Sequence, residues 1–187
     1  MCNFLLKRFK GDNFLIFVSG IHGVGKTYFC DRIKEKLNIQ SYSASQLITA
    51  KRNEEFSANK FVSNIDDNQN LLVAAVEELR KQEKEFILDG HFCLLNETGK
   101  ITRIPLNTYM VLRPDVIILL TEKSEIIADR RLRRYNVHQD VSEITAFQEE
   151  EKNYAKEIAE QLNISLMVSQ GKDDLERIVN YIKRGIY

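Results

Sequence analysis

The segment Phe14-Leu15-Ile16-Phe17-Val18-Ser19 leads directly into Gly20-Ile21-His22-Gly23-Val24-Gly25-Lys26-Thr27, and this stretch decides the fold. Its first part is apolar, as in a buried strand, and a helical pattern follows its second part. The second part satisfies G-x-x-x-x-G-K-[ST], in which glycines let backbone N–H groups converge at a helix N-terminus. A polyphosphate fits that arrangement, so the pattern predicts a nucleotide-binding loop.

Two side chains of the loop have specific expected tasks. Lys26 is predicted to reach the outer phosphates as a point charge, and the Thr27 hydroxyl is predicted to ligate Mg²⁺. The other residues predicted to contact the nucleotide come from the loop and the first helical turn: Gly20, His22, Gly23, Val24, Gly25 and Tyr28.

The composition is that of a soluble globular chain. Of the 187 residues, 43% are apolar and 29% are charged, and the formal net charge is zero. That balance gives no strongly basic field for nucleic acid or an anionic membrane. No segment approaches the roughly 18 apolar residues of a membrane span, the start lacks a signal-peptide core, and Cys2, Cys30 and Cys93 have no zinc-like spacing. We expect a cytoplasmic monomer or homodimer without a membrane partner, its free cysteines acting as small buried hydrophobes.

Strand-like and helix-like segments alternate along the chain, which predicts an α/β fold with a parallel sheet covered by helices. The strand candidates are residues 14–19, 39–42, 86–89, 116–121 and 164–169. The middle three contain few charges, so we expect them to be covered on both faces. Helical spacing recurs at Cys30, Ile33 and Leu37; at Ile65, Leu72, Val76 and Leu79; at Ile144, Phe147, Tyr154, Ile158 and Leu162; and at Leu175, Ile178 and Ile182.

The chain is expected to form an arm over residues 1–12 and one domain over 13–187. Asp66 or Asp67 is placed to cap the helix that follows. Residues 53–64 and 133–140 are poor in apolar side chains and are predicted to be exposed segments between core elements.

The predicted strand 86–89 ends in an acid, Asp89, followed by Gly90 and His91. Ligands of open parallel sheets gather at the carboxyl ends of the strands. An acid that ends the strand beside a phosphate loop can hold Mg²⁺ through a water, so we predict a metal-binding and catalytic role for Asp89. His91 either contacts substrate, orients Asp89 or makes a structural hydrogen bond.

Four arginines follow within Arg130-Arg131-Leu132-Arg133-Arg134. On a helix, Arg130 and Arg134 share a face. The cluster is either a solvated basic face or a clamp on a transferring phosphoryl group, for which guanidinium groups are well suited. We predict the clamp, formed by Arg130, Arg131 and Arg134, within a short lid over residues 130–140.

Two further segments are candidates for substrate and base contacts. Ser43 and Ser45 enter a predicted short helix, where their hydroxyls either cap it or contact an acceptor substrate. Lys51 and Arg52 come next and Lys60 lies further along, and these three cations are candidates for binding an acceptor phosphate. After the last strand, the loop Ser169-Gln170-Gly171-Lys172 is predicted to hold a purine base through Gln170, Gly171 and Lys172.

Taken together, residues 14–182 resemble the P-loop nucleoside monophosphate kinases, and most closely the archaeal-type adenylate kinase family. Beyond the loop, the resemblance rests on Asp89-Gly90-His91, Gly99, Pro105, Arg113-Pro114-Asp115-Val116-Ile117, Arg130-Arg131-Leu132, Asp140-Val141-Ser142, Gln148 and Gln170-Gly171-Lys172-Asp173. It implies a three-layer P-loop NTPase fold of the nucleoside-kinase type with a five-stranded parallel sheet. It also implies ATP and Mg²⁺ as cofactors, an acceptor-binding insertion over residues 43–64, and an arginine lid that excludes water.

The chain departs from that family in two places. Val137, His138 and Gln139 stand where family lids carry further arginines. Phe147-Gln148-Glu149-Glu150-Glu151-Lys152 stands in place of the family's His-Gln-x-x-Asn-Arg. Fewer lid guanidinium groups mean less charge stabilisation of phosphoryl transfer. The sequence therefore leaves three acceptors open: AMP, another nucleotide, or a small phosphorylated metabolite.

Two functions remain as hypotheses. The leading one is an ATP-dependent nucleotide kinase that moves the γ-phosphoryl group to a nucleoside monophosphate such as AMP. The alternative is an ATP-binding or ATP-hydrolysing switch or assembly factor that acts on a protein or ribonucleoprotein partner, which a lid that admits water favours. An inactive nucleotide site is disfavoured because Lys26, Thr27 and Asp89 are all present.

Overall fold

The computed structural model describes residues 13–56, 65–96, 98–136, 138–171 and 174–186. The predicted arm, residues 1–12, lies outside these ranges, as do Lys60 and Lys172. Within them the elements follow in this order: β1 (Phe14–Ser19), α1 (Lys26–Leu37), β2 (Gln40–Ser43), α2 (Ala44–Phe56), α3 (Ile65–Gln82), β3 (Glu85–Asp89), β4 (Cys93–Leu95), β5 (Ile101–Arg103), α4 (Leu106–Leu112), β6 (Val116–Leu120), α5 (Ser124–Tyr135), α6 (Val141–Leu162), β7 (Ser165–Ser169) and α7 (Leu175–Ile186).

The main sheet is parallel and has the strand order β2-β3-β1-β6-β7, which confirms the predicted fold class. β1 is central and all six of its residues are buried, since β3 and β6 pair with it on its two sides. In this register Val18 lies beside Asp89, and Ser19 lies beside Leu119. The loop after β1 and the acid that ends β3 therefore leave the sheet at neighbouring points.

The expectation that residues 39–42 are covered on both faces is wrong. β2 pairs with β3 at the edge of the described sheet, and its residues are exposed or only half-buried. An edge strand faces solvent on one side, which suits polar residues such as Gln40, Ser41 and Ser43. The other two runs in that prediction, β3 and β6, are buried along most of their length.

The predicted helices form, with differences at their ends. α3 spans Ile65–Gln82, so Asp66 and Asp67 lie within the helix and not at its cap. α2 runs for 13 residues, longer than the short helix expected, because it packs against α3 and Lys51 forms a salt bridge to Glu78. Among the described helices, none is both long and apolar enough to cross a bilayer.

Sequence patterns do not reveal the hairpin β4–β5 or the short helix α4. Strands of three residues are too short to show an alternation. The hairpin lies against α6, where the Tyr154 hydroxyl donates to the Ile104 carbonyl at 2.7 Å and Arg103 stacks 4.5 Å from the centre of the Tyr154 ring. These contacts fix the segment that follows Asp89 and His91.

Candidate active site

The loop between β1 and α1 forms a cradle for an anion. Gly20 has a φ of 139°, and a Cβ atom there would lie 2.6 Å from the Leu120 carbonyl oxygen, so only glycine fits. Gly25 is the N-cap of α1 and brings no side chain to the first turn. The N–H groups of that turn have no intrahelical acceptor, and they share the positive end of the helix dipole. This donor set fits the phosphates of a nucleotide.

Lys26 is buried at the back of the loop, with 8% of its surface exposed. Its Nζ donates to the Gly20 carbonyl at 2.6 Å, and it lies 3.3 Å from His91 Nε2 and 3.9 Å from Asp89 Oδ1. Burial lowers the pKa of Lys26, while the nearby carboxylates of Asp89 and Glu151 oppose that shift. The amine is therefore held by loop, strand end and histidine at one point.

His91 is a neutral acceptor in this cluster. Burial, with the charge of Lys26 as the next cause, lowers the pKa of His91 to about 3. A neutral ring accepts from Lys26 at Nε2 and carries its proton on Nδ1. Nδ1 is buried and has no hydrogen-bond partner among the described residues. His91 thus has a hydrogen-bonding contact with Lys26, and because it also lines the first cavity its contact with substrate stays a prediction.

Asp89 and Thr27 supply oxygen atoms suited to Mg²⁺. Asp89 Oδ1 is buried, and no donor in the described part of the chain forms a hydrogen bond to it. Burial raises the pKa of Asp89, and Lys26 opposes this. Thr27 is exposed and lines the same cavity as Asp89. A hard cation with oxygen ligands fits this pair together with nucleotide phosphates.

Two of the clustered arginines hold the outside of the loop. Arg130 Nη1 donates to the Val24 carbonyl at 3.0 Å, and its Nη2 pairs with Glu122 at 3.0 Å. Arg131, of which 7% is exposed, donates from Nε to the His22 carbonyl at 2.9 Å and from Nη1 to Gln139. α5 therefore fixes the loop through its carbonyl groups.

The other two arginines, Arg133 and Arg134, are exposed. Arg133 pairs with Asp129 at 3.0 Å, which matches the solvated face weighed as an alternative. Arg134 is exposed and, like Arg130, Arg131 and Arg133, it lines the cavity in front of the loop. The predicted lid residues up to position 135 belong to α5.

Two cavities adjoin the loop, each of a size that suits a small-molecule ligand. The first, of about 730 Å³, is lined by the loop, by Asp89 and His91, by the arginines of α5, and by side chains of α2, α3 and α4. The second, of about 750 Å³, lies between α1, the end of β6 and the loop before α7, and Gln170 and Gly171 line it. Gly25, Tyr28 and Arg130 line both.

Only some of the residues predicted to bind the acceptor line the first cavity. Ser43 and Ser45 line the first cavity, and their Oγ atoms are 2.9 Å apart. Arg52 is not among the described residues that line either cavity, and its Nη2 donates to Asn68 Oδ1. The predictions for Lys60 and Lys172 fall outside the described residues.

Glu151 of α6 was missed as part of the site. It is 1% exposed, and its Oε1 accepts from Ser19 Oγ at 3.1 Å and from the Gly20 amide at 3.2 Å. Its Oε2 accepts from the amides of Phe92 at 3.1 Å and Cys93 at 2.6 Å. One carboxylate thus ties the start of the loop to the segment after β3.

A sequence signal for Glu151 exists. Glu151 lies four residues after Phe147 and three before Tyr154, so it occupies the apolar stripe of α6. A charge on a core-facing stripe requires buried partners. Burial raises the pKa of Glu151, while the hydrogen bonds from Phe92, Cys93 and Ser19 oppose that rise.

A second missed contact holds the start of α5. Gln148 Oε1 accepts from the Glu122 amide at 2.9 Å, and Gln148 Nε2 donates to the Glu122 carbonyl at 2.9 Å. Glu122 in turn pairs with Arg130. α6 therefore positions both the loop and the arginine helix.

The parallel sheet, with the phosphate-binding loop between its central strand β1 and helix α1, is the arrangement of the P-loop kinase fold. The model of the AAA domain family matches residues 19–148, and the chain belongs to that family. No curated protein matches the sequence.

Solved structures share the fold at low sequence identity. Shikimate kinase from Bacteroides thetaiotaomicron has 15% identity and a TM-score of 0.53, with 91% of this chain and 96% of that chain covered. A sugar kinase from a Janibacter species has 13% identity and a TM-score of 0.51, with 93% and 94% covered. An uncharacterised protein from Eubacterium ventriosum has 12% identity and a TM-score of 0.50, with 92% and 97% covered. At these identities the likeness concerns the fold alone.

Proposed function

We propose that this protein is an ATP-dependent phosphotransferase that moves the γ-phosphoryl group of ATP·Mg²⁺ to a small acceptor, a nucleoside monophosphate such as AMP. The observation that carries the proposal is the shape of the first cavity. It contains Lys26, Asp89 and the α5 arginines, and it continues to α2, α3 and α4. Hydrolysis needs room only for water, whereas a chamber of about 730 Å³ has room for an acceptor beside the phosphates.

The residues of the chain divide this task. The loop amides and Lys26 bind the donor phosphates, with the amine exchanging the Gly20 carbonyl for phosphate oxygens. Thr27 and Asp89 would hold Mg²⁺, which neutralises charge on the phosphates when bound. Arg134 stabilises the charge of the phosphoryl group in flight, and Arg130 and Arg131 join it when their guanidinium groups exchange the Val24 and His22 carbonyls for phosphate oxygens.

The two cavities separate donor and acceptor. The second cavity takes the adenosine of ATP beside Gln170 and Gly171, with Lys172 predicted next to them. The first cavity takes the acceptor beside Ser43, Ser45 and His91. We assign residues 43–64 to acceptor binding and residues 130–140 to a lid. The resemblance to archaeal-type adenylate kinases supports AMP as the first acceptor to test.

Transfer of label from γ-labelled ATP to a panel of nucleoside monophosphates and sugars tests the proposal. We expect label in a nucleoside diphosphate. Lys26→Ala should lower that turnover by about 100- to 1000-fold, because it removes a buried cation from the developing charge. The matched control is Lys34→Ala, which removes an exposed lysine of the same helix and should leave turnover unchanged.

Two outcomes would contradict the proposal. Label found only in free phosphate, whatever acceptor is offered, would favour the hydrolysing switch. Equal turnover in the Lys26→Ala and Lys34→Ala proteins would show that the loop does not bind the transferred phosphates.

A further inference from the structure

Gln69 of α3 is a buried amide that faces the first cavity. It is 8% exposed and lines that cavity beside Leu72 of the same helix. Its Oε1 is buried, and no hydrogen-bond donor of the described residues reaches it. Gln69 therefore places an amide oxygen without a protein partner among the described residues at the wall of the space that the proposed function gives to the acceptor molecule.

An unpaired amide at this position has a cost for the folded state. Gln69 lies on the apolar stripe of α3, three residues before Leu72 and seven before Val76, both of which are buried. A buried amide oxygen without a partner destabilises the folded state by about 1–3 kcal/mol, whereas leucine of similar size would not. A ligand bound in the first cavity can supply the missing donor.

The surroundings of Gln69 indicate the chemistry of that ligand. The charged side chains of the first cavity belong to the loop, to the end of β3 and to α5, whereas α2, α3, α4 and the hairpin region contribute mainly apolar ones: Ile48, Leu72, Leu94, Ile104 and Leu112. The two cations of α2 are engaged by α3, since Lys51 pairs with Glu78 and Arg52 donates to Asn68. Phosphate is thus suited to the loop and α5, and a neutral, flat group to the apolar part.

We infer that Gln69 is a specificity-determining residue that recognises a heteroaromatic ring of the acceptor, a nucleobase, by accepting a ring or exocyclic N–H at Oε1. This deepens the proposed function and rests on it. A planar amide carries an acceptor and a donor side by side, the pattern that the edge of a base complements. Apolar side chains on the cavity wall then exclude the water that would compete for the same hydrogen bond.

Equilibrium binding tests the inference without turnover. The protein is saturated with Mg²⁺ and a non-hydrolysable ATP analogue, then titrated in a calorimeter with AMP, CMP, GMP, UMP and ribose 5-phosphate. We expect at least one monophosphate to bind about tenfold or more tightly than ribose 5-phosphate, which lacks the base. Gln69→Leu should reduce that advantage about tenfold and leave the affinity for ribose 5-phosphate unchanged. Gln82→Leu, the same change at an exposed position of α3, is the matched control.

Thermal unfolding of the same variants separates recognition from structure. Gln69→Leu should unfold at a temperature no lower than the wild-type protein, because it removes an unpaired buried amide. The inference is overturned if Gln69→Leu binds the monophosphate as well as wild type, if ribose 5-phosphate binds as tightly as the monophosphates, or if none of the monophosphates binds. It is also overturned if the variant is destabilised and loses all ligands equally.

Failure of the inference and failure of the proposed function give different results. Transfer of label to an acceptor that lacks a base would leave the phosphotransferase intact and overturn the role of Gln69. Base binding that depends on Gln69, without transfer to any acceptor, would sustain the inference and reject the kinase.

Discussion

Replacement of Glu151 by glutamine tests whether one buried carboxylate organises the active-site loop. Glutamine keeps the shape but retains a single acceptor oxygen. If that oxygen stays with Ser19 and the Gly20 amide, the new NH₂ group faces the Cys93 amide, which now lies 2.6 Å from Oε2. One buried donor then loses its acceptor and the remaining bonds lose their charge assistance. We expect a loss of about 2–3 kcal/mol in the free energy of unfolding.

Thermal denaturation followed by circular dichroism measures this loss. For a chain of this length about 1 kcal/mol corresponds to roughly 2–4 °C, so the midpoint should fall by about 4–12 °C. ATP affinity should fall as well, because the loss of the Cys93 bond and the weaker bonds to Ser19 and Gly20 loosen the tie between the loop and the segment after β3. The control is Glu150→Gln, because Glu150 pairs with Arg103 on the surface and such pairs contribute about 1 kcal/mol or less. Equal stability of the two variants would refute the reasoning.

Three further predictions concern separate features. The first concerns His91→Gln. The pKa of His91 is about 3 in the folded protein, so between about pH 6.5 and 3 only the unfolded chain binds the proton, and wild-type stability falls with decreasing pH by up to about 1.4 kcal/mol per unit. The denaturant midpoint of the variant should fall less steeply below about pH 6.5 than that of the wild-type protein, and equal dependence on pH would contradict this. The second compares two glycines: Gly23→Ala places a Cβ 3.2 Å from Arg131 Cγ at a φ of 87°, whereas the Cβ of Gly99→Ala meets nothing within 4 Å at a φ of 77°. Calorimetry with ATP should show about tenfold weaker binding for Gly23→Ala and no change for Gly99→Ala. Equal affinities would show that contact between the new Cβ and Arg131 does not disturb the loop. The third concerns Cys93, whose pKa burial raises to about 12. Its alkylation, followed by peptide mass spectrometry, should be about a thousandfold slower in the native than in the unfolded protein. Comparable rates in the two states would show that the thiol is accessible.

The core strands could be predicted from the sequence because each is a compact apolar run. The predicted strand at residues 14–19 matches β1, and those at 86–89, 116–121 and 164–169 match β3, β6 and β7 to within one residue at either end. The edge position of β2 could not be predicted, because four residues of mixed polarity do not show which strand lies beside them. The hairpin β4–β5 could not be predicted either, because its strands are short and its pairing depends on contacts with α6.

The candidate site was predictable where a motif joins neighbouring residues, as in the loop from Gly20 to Thr27. It was not predictable where side chains from distant elements meet. Glu151 and Gln69 are polar residues on otherwise apolar helical stripes, and only the fold shows that one holds the loop and the other lines the cavity. A polar residue at a core-facing helical position therefore indicates a buried partner, but it does not identify the partner.

The wall shared by the two cavities has a consequence for inhibition. Gly25, Tyr28 and Arg130 line both cavities, so these residues form the boundary between the two. If the two chambers bind ATP and a nucleotide acceptor as proposed, we expect a bivalent molecule with a heterocycle at each end of a polyphosphate tether to occupy both at once. Its second end then binds at an effective concentration of roughly millimolar, which raises affinity by about 100-fold or more over either half alone.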